Sequence, residues 1–228
     1  MRQLVAVLEE RFGTKVTDDR LREAIATMNR ERSLRRQLAE LMQADRPPLT
    51  GRQLIELKSS ISGIPCDLAA YEAILAELAA KEVCTATAPP LRVLLTGVPL
   101  PHGAERVLDL LEDAGGLVVA QENCTGLKPI VEDVAEDATD PLVAIAGKYF
   151  HLPCSVMTVN DGRLDLIKEL VAAYRPDCVV DLVWQACLTY DVEAVRLKAF
   201  CESELTLPYL KITTDYQPAD SARIGVRI

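Results

Sequence analysis

Apolar positions along the first 88 residues recur at the spacing of helices. Leu4, Val7, Leu8 and Phe12 share one face of a first predicted helix, which Gly13 stops. Thr17, followed by Asp18 and Asp19, is an N-cap with acids set against the positive helix end. Leu21, Ile25, Met28, Leu34, Leu38 and Leu41 then carry an apolar stripe through a long, Arg-rich helix that ends at Asp45-Arg46-Pro47-Pro48. Thr50 caps a third helix bearing Leu54, Ile55 and Leu57. After the turn Ser62-Gly63-Ile64-Pro65, Asp67 caps a fourth with Leu68, Tyr71, Ile74, Leu75 and Leu78. Thr85 to Pro90, rich in small residues and proline, forms a linker.

From Leu91 the pattern changes to short apolar runs alternating with amphipathic stretches. Val93–Leu95, Leu117–Val119, Val179–Val183 and Tyr209–Ile212 are predicted strands; helices are predicted near 104–114, 140–150, 162–174 and 190–204. Such alternation predicts an α/β chain: a helical segment over residues 1–88, then a parallel-sheet domain of Rossmann-like or flavodoxin-like kind over 89–228. Open sheets of this type place their sites outside the carboxyl ends of the strands.

Composition narrows the function classes. Half of the chain is hydrophobic (49%) and 26% is charged, which is globular rather than disordered. The net charge of −9, without a basic cluster, argues against a nucleic-acid partner. No apolar run approaches the ~18 residues of a membrane span, and Glu9-Glu10 come too early for a signal peptide. The expectation is a soluble, cytoplasmic protein. Gly-x-Gly-x-x-Gly, the P-loop and the Gly-x-Ser-x-Gly elbow are all missing, so no residue is assigned a catalytic role. In the first strand-end loop, Gly97 and Gly103 allow either a ligand or another backbone to come close.

The seven cysteines are an odd count without an export signal and without Cys-x-x-Cys, unlike a disulfide framework or a zinc knuckle. Cys124 follows the second strand, Cys154 precedes an expected extended segment at 156–158, and Cys187 follows the strand at 179–183. The spacings, 30 and 33 residues, are close to one βαβ repeat of about 30 residues. Two explanations stand: three thiolates gathered at one sheet edge around an iron–sulfur cluster, or three small buried side chains. Cys178 and Cys201 are expected to pack in the core, and Cys66 and Cys84 to be core or surface. At the last strand end, Asp215 and Tyr216 bind a ligand or partner, or Asp215 closes an Asx-turn.

Five segments occur in order: Glu122-Asn123-Cys124-Thr125-Gly126, Pro153-Cys154-Ser155, Gly162-Arg163-Leu164, Gln185-Ala186-Cys187-Leu188-Thr189-Tyr190 and Thr214-Asp215-Tyr216. Together they resemble the 2-hydroxyacyl-CoA dehydratase family, which includes the benzoyl-CoA reductase subunits and the double-cubane cluster proteins. Residues 1–88 look like that family's interdomain helical segment. The resemblance implies a cysteine-held 4Fe-4S cluster, or half of a double cubane, facing a cleft between two α/β domains. It also implies a separate ATP-hydrolysing iron–sulfur activator that delivers one low-potential electron. In such dehydratases a 2-hydroxyacyl-CoA is reduced to a ketyl radical, expels its hydroxyl and then returns the electron.

Carried over by position, Cys187 matches the family's cluster cysteine, while Cys124 and Cys154 match the double-cubane branch. Glu122, Asn123, Gln185, Asp215 and Tyr216 become substrate- or partner-binding residues. The resemblance matches the second half of a family subunit. A missing first domain or a second subunit is therefore expected to complete the site, and a final helix is also lacking. Three functions follow: a radical lyase acting on an acyl-CoA, an ATP-coupled iron–sulfur reductase of small substrates, or an inactive fragment that only docks a partner.

Overall fold

The computed structural model describes residues 1–58, 65–80, 89–157 and 159–228. Helix α1 (Arg2–Phe12) ends where Gly13 turns left-handed at φ 60°, and helix α2 (Asp18–Glu40) starts at Thr17, whose hydroxyl accepts from Arg20 N at 3.3 Å. Helix α3 (Gly51–Lys58) is capped by Thr50, with Oγ1 accepting from Gln53 N at 3.1 Å. The Glu112 carboxylate also accepts from Gly51 N and Arg52 N, placing negative charge at the helix's positive end. Helix α4 (Pro65–Ala80) begins at Pro65, so the expected cap Asp67 lies inside its first turn. Proline suits that opening position because it has no N–H to leave unpaired. Residues 62–64, Cys84 and linker positions 85–88 lie outside the described residues.

The α/β part follows as β1 (Leu91–Gly97), α5 (Arg106–Asp113), β2 (Gly116–Glu122), α6 (Pro141–Phe150), α7 (Asp161–Tyr174), β3 (Cys178–Trp184), α8 (Leu188–Phe200), β4 (Tyr209–Thr214) and a short α9 (Ser221–Gly225). The four strands pair in parallel in the order β2-β1-β3-β4. The chain thus winds outward from β1 to β2 and then crosses to β3 and β4. The crevice where the winding direction changes opens between β1 and β3, at their carboxyl ends. Of the segment expected to be extended at 156–158, Val156 instead turns with Ser155, and Thr158 lies outside the described residues.

Alternate strand residues face opposite sides. Leu94, Val119 and Val179 point into a core shared with Leu38 and Met42 of the helical segment and with Ile167 and Leu170 of α7. Val93, Leu95, Val118 and Val180 point into a second core with Leu108, Leu111 and Ile55. The helical segment therefore packs on both faces of the sheet. Arg92 in β1 fastens the join by donating to the carbonyls of Met42, Ala44 and Tyr174 at 2.9, 2.9 and 2.7 Å. Among the described residues, no helix is long and apolar enough to cross a membrane.

Candidate functional site

Gly97 ends β1 at φ 102°. A Cβ there would lie 2.0 Å from the Leu182 carbonyl oxygen, and Val98 N donates to that same oxygen at 2.9 Å. Of the two expectations for this glycine, the structure shows close approach of a second backbone. Gly126 plays the same part after β2, where a Cβ would meet Gln121 O at 2.1 Å. The loops after β1 and β2 are thereby pressed onto the sheet.

Beneath these loops lies a buried charge network. Glu122, the last residue of β2, has no exposed surface. Its Oε1 is 2.7 Å from Lys128 Nζ, its Oε2 is 3.2 Å from Arg163 Nε, and Thr96 Oγ1 donates to Oε2 at 2.5 Å. Arg163 NH2 donates to Thr96 Oγ1 at 3.0 Å, while NH1 lies 3.7 Å from the Glu193 carboxylate. Burial disfavours the Arg163 charge, but Glu122 and Asp181 outweigh it and hold the guanidinium protonated above its ordinary value. The Tyr190 ring rests against both cations, 5.1 Å from Arg163 and 5.8 Å from Lys128. Burial, and then the neighbouring Cys124 and Glu122, push the Tyr190 phenol well above its usual range.

The cysteine loops sit on this base. Cys124 follows Glu122 and Asn123 directly. Burial raises its thiol, Lys128 pulls it back, and Cys154 and Glu122 add to the rise. The Cys154 loop is held by Asn160, whose Nδ2 donates to Cys154 O at 2.9 Å and to the Glu193 carboxylate at 3.2 Å. Ser155 and Thr189 hydroxyls meet at 3.4 Å and join this loop to the start of α8. Cys187 opens α8, its sulfur 3.8 Å from Thr189 Oγ1. Ala186 before it is held left-handed at φ 66°, a conformation that costs a non-glycine residue about 1–2 kcal/mol.

Cys154 thus stands on a loop joined to the start of α8, where Cys187 lies, and Cys124 follows shortly after the end of β2. Among the described residues, no three Cys, His, Asp or Glu side chains converge into a preformed metal site. The other cysteines among the described residues are placed elsewhere. Cys201 is fully buried, its thiol pushed up to about 12 by burial; Cys178 is half-buried at the start of β3, and Cys66 is exposed.

The remaining predicted site residues separate into two groups. Glu122 and Asn123 lie under the loops. Asn123 Oδ1 accepts from Thr125 N at 3.1 Å and Thr125 Oγ1 at 2.9 Å, which shapes the turn beside Cys124. Gln185 and Asp215, in contrast, line an open cavity of about 420 Å³ with Thr214, Asp220 and Arg223. Asp215 Oδ1 accepts from Gln217 N at 2.7 Å, an Asx-turn. Tyr216 stacks on Trp184 with ring centroids 4.6 Å apart. Arg106 secures this corner by donating to Thr214 Oγ1 and Asp220.

The sequence reading missed Lys128, Thr96, Tyr190 and Glu193, and it noted Arg163 without giving it a role. One signal pointed to them: a carboxylate closing an otherwise apolar strand needs buried counter-charges.

The sequence matches the family described as 2-hydroxyglutaryl-CoA dehydratase, D-component, over residues 1–228. The chain belongs to this family. Within it, the chain is 36% identical over 236 aligned residues to a protein of Escherichia coli (strain K12) named "Putative dehydratase subunit YjiM". That match covers all of this chain and 60% of the relative, so the chain spans about three fifths of the relative's length. Family membership supports the expected dehydratase-type subunit, and the α/β fold with its parallel sheet agrees with the architecture predicted from the sequence.

Proposed function

We propose that this chain is the cluster-bearing part of an iron–sulfur subunit in a 2-hydroxyacyl-CoA dehydratase-type enzyme, with Cys124, Cys154 and Cys187 as thiolate ligands. In that assembly residues 1–88 form the interdomain helical segment and residues 89–228 the cluster-binding domain. A second α/β domain or subunit, an ATP-hydrolysing iron–sulfur activator and an acyl-CoA substrate complete the cytoplasmic system. One observation carries this proposal: the loop bearing Cys154 is tethered through Ser155 to Thr189 of the helix that Cys187 opens, and Cys124 closely follows Glu122, the buried carboxylate that holds Lys128 and Arg163.

The donor set suits the cofactor. Thiolates are the usual ligands of iron–sulfur clusters and are anionic when they bind. Lys128 and Arg163 place positive charge beneath them where little water can screen it. Bound there, a cluster supplies the single low-potential electron that activates the thioester. The protein's own contribution is to hold the loops: Asn160 fixes Cys154, Asn123 shapes the turn at Cys124, and Thr189 meets the Cys187 sulfur. Gln185 and Asp215, lining the cavity at the carboxyl ends of β3 and β4, are placed to meet a polar group of the substrate or of the completing domain.

The test is anaerobic reconstitution with iron and sulfide, with the completing domain supplied. The expected product is brown, carries about four irons per chain, and loses both properties in the Cys124→Ser/Cys154→Ser/Cys187→Ser variant. Protein that stays colourless and iron-free would overturn this proposal and favour a non-catalytic docking module. The match of Cys124 and Cys154 to the double-cubane branch also keeps the ATP-coupled reductase open. Turnover of a small substrate, with no dehydration of any 2-hydroxyacyl-CoA, would select it.

A further inference from the structure

A row of polar side chains crosses the sheet. Glu122 of β2, Thr96 of β1, Asp181 of β3 and Lys211 of β4 are register partners along one line. Two residues back along β1 and β3, on the same face, Leu94 and Val179 belong to the core that also holds Ile167 and Leu197. The inner end of the row, Glu122, lies two residues before Cys124. Its outer end, Lys211, is partly exposed and paired with Asp191. Thr96, Asp181 and Glu122 have no exposed surface.

Asp181 is the member whose charge the network leaves unpaired. Arg163 and Lys211, the cations that face it, pair instead with Glu122, Glu193 and Asp191. The Tyr209 hydroxyl donates to Asp181 Oδ2 at 2.6 Å. Asp181 Oδ1 has no hydrogen-bond partner among the described residues. It faces Gly97, where a Cβ would lie only 2.7 Å away. A carboxylate oxygen buried without a donor is costly, and a proton there removes the charge. The titratable and charged groups that face Asp181 are Glu122, Arg163, Tyr209, Lys211 and, just after α8, Cys201. Burial pushes the Asp181 carboxyl up, Tyr209, Arg163 and Lys211 pull it back, and Glu122 adds to the rise; the carboxyl stays above its ordinary value.

We propose that Asp181 is the proton-accepting positioning residue of the candidate site, taking a proton from solvent on Oδ1 as an electron enters beside Glu122. The proposal rests on the iron–sulfur reading of the cysteine loops. The activator supplies one electron and water supplies one proton. An O–H bond forms on Oδ1, no bond of the chain breaks, and the two added charges cancel. Arg163 carries the coupling, since it holds Glu122 and faces Asp181. Linkage is reciprocal, so a proton on Asp181 favours the electron as much as the electron favours the proton.

Two measurements test it. In the iron-free 228-residue chain, the carboxyl carbon-13 NMR signal that disappears in Asp181→Asn should titrate above the ordinary value of about 3.9. The reduction potential of the anaerobically reconstituted protein, with the completing domain supplied, should then depend on pH. Over the range where Asp181 titrates, each unit rise in pH should make the electron about tenfold harder to accept, about 59 mV. Asp181→Asn should abolish that slope. Tyr209→Phe, which removes the donor that favours the ionised carboxyl, should move the sloping range to higher pH, and it serves if Asp181→Asn fails to fold. A signal titrating at or below the ordinary value overturns the proposal. So does a flat potential in the wild-type chain, a slope that survives Asp181→Asn, or a range that Tyr209→Phe leaves in place; each of these results leaves the cluster intact. Protein that takes up no iron overturns the iron–sulfur reading, and this proposal with it.

Discussion

Two clusters of buried charge differ in how they are built. On α2, Arg35 NH1 lies 3.1 Å from Glu31 Oε1, one helical turn away, and both side chains are buried. At the sheet edge, Glu122 ends β2, Lys128 comes from the following loop and Arg163 from α7. A single helix places the first pair. The second exists only once three segments have folded together, and it underlies the two loops that carry Cys124 and Cys154. Burying an ion pair is seldom a net gain in stability, so the informative difference is what each cluster positions. The helical pair lies in the field of Tyr71 on α4, whereas the sheet-edge network underlies the candidate site.

The strongest way to break this comparison is Glu122→Gln. It leaves Lys128 and Arg163 buried with Asp181 and the more distant, partly exposed Glu193 as counter-charges. The expected loss is about 3–5 kcal/mol in urea unfolding, together with reduced iron uptake on anaerobic reconstitution. A change below ~1 kcal/mol would mean that the network is well hydrated and not a buried framework.

The helical pair should behave differently. Arg35→Met alone strands Glu31 and should cost about 3 kcal/mol. Glu31→Leu/Arg35→Met removes both charges and should lie within about 1 kcal/mol of the wild-type chain. Iron uptake by the double variant should match the wild-type chain. If it falls as far as in Glu122→Gln, the helical pair also sets the site geometry and the distinction fails.

The local signals in the sequence carried most of the fold. Gly13 stops α1, Thr17 and Thr50 cap α2 and α3, and four apolar runs became four parallel strands, because caps and buried strands follow from neighbours in the chain. The exceptions are also physical. Asp67 is flanked upstream by Pro65, which can open a helix itself, so the helix began before the cap. The segment at 156–158 has strand-like residues, but Ser155 and Val156 turn, and Thr158 lies outside the described residues.

For the site, the apolar runs legibly put Cys124 and Cys187 after the strands that became β2 and β3, whereas Cys154 lies on the connection between α6 and α7 and not at a strand end. Their support was not legible. Arg163 is 41 residues from Glu122 and Tyr209 is 28 from Asp181, and composition does not reveal such pairings. Nor does a strand-end position say which way a side chain points. Glu122 and Asn123 turned inward, while Gln185 and Tyr216 stayed exposed.

A third ion pair sharpens the comparison from the weak end. Arg36 on α2 holds Asp133 in a two-pronged contact, NH1 to Oδ1 and NH2 to Oδ2, each 2.8 Å, and also donates to Ile130 O at 2.7 Å. Like the sheet-edge network it joins distant segments, but Asp133 is 43% exposed, so water screens much of the attraction. The hydrogen bond from Arg36 holds the Asp133 carboxyl below its ordinary range. For a carboxyl depressed in the folded state, the stabilisation is full above the unfolded value of about 3.9 and is lost as pH falls through the lower folded value. Asp133→Asn should therefore cost about 0.5–1 kcal/mol at neutral pH. In acid, once both states of the wild-type carboxyl are protonated, the gap in urea midpoint should close. A gap of 3 kcal/mol or more, or one that persists in acid, would show that joining distant segments suffices to make an ion pair structural. Burial would then not be what separates the sheet-edge network from a surface contact.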